Sequence, residues 1–319
     1  MAGITVSGGS TLSTSITDSI ALDTINQGIN SLLSQPGVTG VSITGINGAI
    51  GAVRKPLAGV QGMINLKQGE IETGSTFTLG STYQGVSISG TEAVTIEGRA
   101  VVGNSGFVPY ELLIGNSGND TIKGAGGSGT IVSGSGNNTI HTGGGDVVVD
   151  SSGDDTIFGG KGIDNIEATG SATVHAGTGF TIFTDKGAAD STFKVKGDTA
   201  PGGGLLEGYS GLGKDTFVSG SGSNYFTDSH TGGADSPAVV FKFHFTVEGT
   251  TVISDFDVAK DTVLLSTNFG ITSAQAAAAI TVVAGSSYLD LHGTKIEFAG
   301  TTNVTASDFS FYTPVLPGT

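Results

Sequence analysis

The sequence predicts an all-β protein: a parallel β-roll, or β-solenoid, followed by a carboxy-terminal domain of β-sandwich type, with one or two short helices. Three observations carry this. Glycine supplies 55 of the 319 residues with no collagen-like triplet register, so the chain must turn often through conformations that glycine reaches most easily. Short β-branched triplets recur between glycine or polar turns. From residue 115 onward the spacing becomes an explicit nine-residue period. A hydrophobic content of 37% and a mean hydropathy of +0.16 exclude disorder as the reason for the glycine. The expected division is residues 1–75, an amino-terminal region with a strand and a short helix; residues 76–236, the solenoid; and residues 237–319, the carboxy-terminal domain.

Charge narrows the partners. A net charge of −15 and a pI near 4.4 disfavour nucleic acid and anionic lipid, which would be repelled, and favour divalent cations. The two arginines, Arg54 and Arg99, are too few for a phosphate-reading patch. The chain has no cysteine, hence no disulfide and no thiolate metal site. No apolar run approaches the ~20 residues that span a membrane, so no membrane insertion is expected. The opening stretch "MAGITVSGGSTLSTSITDS" has neither the basic nor the apolar region of a secretory signal. Any export information is therefore expected elsewhere.

Taken in order, residues 1–16 read as one or two strands. An uncharged terminal strand such as "GITVSGG" pairs within its own chain, pairs with a neighbour, or frays. A helix follows over about Ser19–Ser34, capped by Thr17 or Asp18, with Leu22, Ile25, Ile29 and Leu32/Leu33 on one face. It carries no basic face, so it reads as core-packing rather than membrane-active. From Gly40 to Ile114 come triplets such as Phe77–Leu79, Val86–Ile88, Val94–Ile96 and Leu112–Ile114. "GVSITG" at 40–45 returns as "GVSISG" at 85–90. The period then reads "GNSGNDTIK" (115–123), "GAGGSGTIV" (124–132), "SGSGNNTIH" (133–141), "TGGGDVVV" (142–149), "DSSGDDTIF" (150–158), "GGKGIDNIE" (159–167) and "ATGSATVH" (168–175). Two more units, "SGLGKDTFV" and "SGSGSNYFT", occupy 210–227.

Each unit is a half-turn, with a glycine-rich bend and a strand carrying one inward apolar residue. The inward set is Ile122, Ile131, Ile140, Val149, Ile157, Ile166 and Val174. Successive units alternate sides, giving two parallel sheets over a thin aliphatic core. That core is too narrow for aromatic rings in most layers, in keeping with an aromatic content of 7%.

"GGKGIDNIE" satisfies every position of G-G-x-G-x-D-x-U-x, and "GNSGNDTIK" departs only at the second glycine. The segment resembles the calcium-binding nonapeptide repeat of RTX proteins. After Ala238 the strands lengthen. Ile253, Asp255, Phe256, Asp261, Val263 and Leu265, then a helix at 273–280, then Asp308, Phe309 and Phe311, resemble the carboxy-terminal domain that ends many type I-secreted RTX proteins. The resemblance covers about residues 115–319. It implies an uncleaved carboxy-terminal export signal read by type I secretion machinery, and a location outside or on the surface of a Gram-negative bacterium.

The resemblance also implies calcium, held by turn carbonyls and by the repeat aspartates of same-side neighbours. That position reads Asp120–Asn138–Asp155–Ala172 on one side and Gly129–Val147–Asp164 on the other. No two aspartates are same-side neighbours, so the roll is a decayed one with few calcium sites. The candidate ligands are Asp120, Asn138, Asp155 and Asp164, with Asp215 and Asp235 as a second same-side pair. The competing reading is that these side chains only cap turns.

Catalytic sets are missing. None of His141, His175, His230, His244 and His292 sits in H-E-x-x-H, and no G-x-S-x-G occurs. Glu70 and Glu72 read as a solvated face, and no lysine completes a phosphate cradle. The expectation is a non-enzymatic, self-assembling exoprotein: a surface-layer, filament or biofilm-matrix subunit whose main partner is itself, with cell-surface polysaccharide as a further partner. The alternative is a monomeric calcium-dependent adhesin or glycan-binding module.

Overall fold

A computed structural model describes residues 2–5, 11–14, 19–35, 40–45, 60–80, 83–99, 110–201, 203–229, 237–245 and 247–314. The chain forms two compact units, Met1–Ala172 and Thr173–Thr319.

In the first unit the chain passes back and forth between two sheets of parallel strands. One sheet runs Gly40–Gly45, Val60–Leu66, Gly85–Ile88, Glu111–Ile114, Gly129–Val132, Val147–Ser151 and Ile163–Ala168. The other runs Thr76–Thr78, Thr95–Glu97, Thr121–Lys123, Thr139–His141 and Asp155–Phe158. Register follows the nine-residue period. Ile122, Ile140 and Ile157 form one column, and Leu113, Ile131, Val149 and Ile166 form the other. All are buried, each contributing about 1.5–3 kcal/mol by leaving water.

The turns stack as tightly as the strands. A Cβ on Gly134, which sits at φ +89°, would penetrate the Asn116 carbonyl oxygen of the coil before it. The strand Val60–Leu66, with Met63 and Leu66 buried, was not singled out in the sequence, because its glycine and polar positions mask the alternation.

The helix Ser19–Leu33 lies on an outer sheet face. Ala21, Ile25, Ile29 and Leu32 pack on Met63, Leu112, Ile114 and Val132, which is why Glu111–Ile114 and Gly129–Val132 are buried on both faces. Gly28 permits the approach: a Cβ there would stand 2.8 Å from Leu112 Cδ1. The Thr24 hydroxyl donates to Asp150 Oδ2 at 3.1 Å. The expected caps, Thr17 and Asp18, lie outside the described residues. Ala2–Thr5 and Thr11–Thr14 pair antiparallel with each other, so the terminal strand has a partner within its own chain.

In the second unit one sheet runs Phe180–Asp185, Leu205–Tyr209, Ser223–Thr227, Gly249–Ser254 and Thr294–Ala299, all parallel. Ser286–Leu291 and Thr281–Val283 then add antiparallel. The facing sheet runs Thr192–Lys196, Lys214–Val218, Val240–Phe243, Thr262–Ser266 and Phe309–Tyr312.

Its core overturns the expectation of a thin aliphatic interior. Phe183, Phe193, Phe217, Phe226, Phe241, Phe243 and Phe298 are fully buried, and Phe217 stacks on Phe226 with centroids 4.8 Å apart. Space comes from Gly208, which holds the inward position between Phe183 and Phe226. A Cβ there would lie 2.5 Å from the Phe217 ring. The rings are concentrated in this unit, so the chain-wide aromatic content misjudges both interiors.

The carboxy-terminal motif residues are packing and turn residues. Ile253, Phe256, Val263, Leu265 and Phe309 are buried. Asp261 accepts the amides of Val239 and Asp257, both at 2.9 Å. The helix Ser273–Ala278 opens on a Thr272/Gln275 capping box.

Candidate metal centre

Among the expected ligands, Asp120, Asn138 and Asp155 do stack. Each begins or immediately precedes a strand of one sheet, and the nine-residue alternation brings them into adjacent coils. Asn138 Oδ1 accepts from the Asp120 amide at 2.8 Å. Asp155 Oδ1 accepts from Asn138 N at 2.8 Å and Nδ2 at 2.9 Å. Asp155 Oδ2 accepts from the hydroxyls of Ser133 and Ser151, both at 2.7 Å. Asp120 takes the amides of Val94 and Asn116, both at 3.0 Å. Burial pushes the Asp120 carboxyl up to about 6, the two amides pulling back and the Asp155 charge adding to the rise. Burial raises Asp155 as well, against the pull of its four donors.

This ladder does not fit calcium. A carboxylate has about four lone-pair directions, and those of Asp155 are already taken by N–H and O–H groups. Asp164 lies in the opposite sheet, in register with Val147, where burial and then the nearby Asp146 charge raise its carboxyl against the pull of its hydrogen bonds. Its Oδ2 accepts from Gly160 N at 2.7 Å, while its Oδ1 is buried without a hydrogen bond.

The second unit differs. Asp215, 2% exposed, accepts from Gly211 N through Oδ2 at 3.2 Å, and its Oδ1 has no donor. The carboxylate it meets is Asp185, whose oxygens accept from Gly187 N at 2.5 Å and Gly213 N at 2.8 Å. Two buried carboxylate oxygens stay together only with a proton or a cation between them. Burial, then the Asp185 charge, push Asp215 up to about 8, with Asp228 adding to the rise. Asp228 itself accepts from Ser210 Oγ at 2.9 Å.

Asp185 holds the place relative to Asp215 that Ser133 holds relative to Asp155. Ser133 directly follows, and Asp185 ends, a strand of the opposite sheet one coil earlier. Where the first unit offers a hydroxyl donor, the second offers an anion. Asp185 and Asp215 are therefore the residues of this unit that would hold a calcium ion, an oxygen-seeking cation. No cluster of three or more acidic or histidine side chains suited to a metal occurs among the described residues; the candidate centre rests on this pair and on the donor-less Asp215 Oδ1.

Asp215 was expected as a ligand; Asp185 was not. The signal was the recurrence of Phe-Thr-Asp at 183–185 and 226–228, at strand ends rather than at the repeat position. Asp235 lies outside the described residues. The strand beside Lys214–Val218 begins at Val240, opposite Thr216, so the residue beside Asp215 in that register is Val239.

A family model for the RTX calcium-binding nonapeptide repeat (4 copies) matches residues 111–140 and 142–172. These residues carry RTX-type repeats. RTX repeats bind calcium and occur generally in secreted proteins, and among the described residues few buried carboxylate oxygens lack a hydrogen bond. No helix among the described residues is long and apolar enough to cross a membrane. No curated protein matches the chain. Of the histidines, His141 stacks on Phe158 with centroids 4.8 Å apart, His175 Nε2 lies 3.2 Å from Lys196 Nζ, and His244 bonds Tyr312. Glu70 caps the turn at Lys67, and Glu72 is exposed. These contacts hold structure.

Proposed function

We propose that this RTX-type protein is a secreted, non-enzymatic structural subunit that self-assembles outside the cell into a surface layer, filament or biofilm matrix. One observation supports assembly above the others. The strand Thr281–Val283 ends its sheet, every residue in it is exposed, and Val282 and Val283 are 54% and 58% exposed. A bare, uncharged, apolar edge strand is a template for another chain unless charge or a bulge blocks it. The same proposal holds that calcium at Asp185 and Asp215 rigidifies the subunit, and that export depends on the segment from Asp255 onward.

Electron microscopy of the purified full-length protein, beside a Val282→Lys/Val283→Lys variant, is the test. Ordered polymers from the parent and dispersed particles from the folded variant are the expected pair. Dispersed parent particles at every calcium concentration would replace self-assembly with a monomeric adhesin. For export, residues 1–254 should stay in the producing cell while the full chain leaves it.

A further inference from the structure

The acidic chain carries one face with the opposite charge. On the second unit's sheet that contains Thr192–Lys196, side chains alternate inward and outward. The outward positions of its strands include Lys194, Lys196, Lys214 and Lys242 and no aspartate or glutamate. Asp215, the single acid in these strands, points into the core. The register places Lys196, Val218 and Lys242 in one row across three strands. At a strand spacing of about 4.8 Å, the two lysine Cα atoms stand roughly 10 Å apart.

Among the described residues the one salt bridge is Lys123–Glu97, and no described carboxylate forms an ion pair with Lys194, Lys196 or Lys242. What they contact instead is uncharged and planar. Lys242 Nζ sits 3.8 Å over the Tyr312 ring, and Lys196 Nζ reaches His175. Lys196 and Lys242 are pushed down by burial and then by neighbouring lysines, a repulsion that an anion would relieve.

We infer that this face, built on Lys194, Lys196 and Lys242, binds a linear anionic polysaccharide. The row offers cations at intervals rather than a continuous field. Hydroxyl partners flank it at Thr216 and Thr262, which share the outward side. A sugar polymer with spaced carboxylate, sulfate or phosphate groups matches both features. Duplex nucleic acid and an anionic bilayer present dense charge over wide areas and would meet the rest of a −15 chain. The proposal is independent of self-assembly.

The test uses full-length protein, kept by light scattering below any concentration that gives polymers. Calorimetry is run against alginate as a polyuronate probe, neutral dextran, a DNA duplex and anionic phospholipid vesicles. Alginate should bind, more weakly as salt rises, while dextran should not. Lys194→Gln, Lys196→Gln and Lys242→Gln together should weaken alginate about tenfold or more. Lys295→Gln, on the antiparallel hairpin, should change nothing. Circular dichroism and Tm verify the fold. If the triple variant melts early, Lys194→Gln alone, at an exposed position, should still give a measurable loss. No alginate binding by the parent, undiminished binding by the variants, equal binding of dextran, or tighter binding of DNA or vesicles would each overturn the inference.

Discussion

Asp185→Ser transplants the first unit's arrangement into the second. It removes the charge facing Asp215 and puts a hydroxyl donor where Ser133 stands in relation to Asp155. In metal-free protein the parent bears a pH-dependent penalty. The Asp215 carboxyl ionises near 3.8 when unperturbed and at about 8 when folded. A raised carboxylate pKa costs nothing below the unfolded value; the cost grows through the window between the two values and is complete above the folded one. The parent should therefore lose stability from about pH 4 to pH 8 in EDTA.

The variant relieves only part of that penalty, because burial, its largest cause, remains. A hydroxyl donating to an ionised carboxylate contributes about 1.5–3 kcal/mol, and one amide left without its Asp185 acceptor costs about 1 kcal/mol. The net gain is about 1–2 kcal/mol, or a Tm rise of roughly 2–8 °C for a protein region of this size. The assay is thermal unfolding followed by circular dichroism at pH 8.5, in EDTA and in calcium. Calcium should stabilise the parent by mass action and leave the variant unmoved. A variant that melts below the parent in EDTA, or that keeps the parent's calcium response, would refute the assignment of the pair.

Three further outcomes follow from the packing of the first unit. Ile157→Asp puts an unpaired charge into a fully buried column and should cost several kcal/mol, read by urea unfolding; an unchanged midpoint would displace Ile157 from the core. Ser133→Ala with Ser151→Ala strips both hydroxyls from Asp155 Oδ2, and a loss of about 3 kcal/mol, independent of calcium, is expected in thermal scans. Gly28→Leu drives a side chain into Leu112, and a loss of about 1–3 kcal/mol in the same scans would confirm the seating of the helix.

The coil was legible because its rules are local. One β-branched residue every nine positions, with glycine between, fixes which side chain points inward, and every inward residue named for the repeats is buried. The helix was legible too, since Ile25, Ile29 and Leu32 share one face, but its docking surface was not. Leu112, Ile114 and Val132 belong to strands whose two buried faces read as plain apolar runs. The phenylalanine core escaped because it depends on a pairing across coils, with Gly208 set between Phe183 and Phe226. No single strand carries that information.

The metal site escaped for a related reason. The repeat pattern describes how a coil turns, and its aspartate can serve that purpose alone, as Asp155 does with four donors around it. Whether a cation is also required depends on the residue at the end of the facing strand one coil earlier. Serine there closes the hydrogen-bond set; aspartate there opposes a second negative charge. In Asp155 and Asp215 the same repeat position thus meets opposite partners. The residues that match the nonapeptide model, 111–140 and 142–172, include the coil of Asp155 and not that of Asp215. In this chain the matched residues include both Asp155, whose oxygens are taken up by hydrogen bonds, and Asp164, whose Oδ1 has none. The pair proposed for calcium lies where a strand end carries a carboxylate, Asp185, in the place that a serine holds beside Asp155.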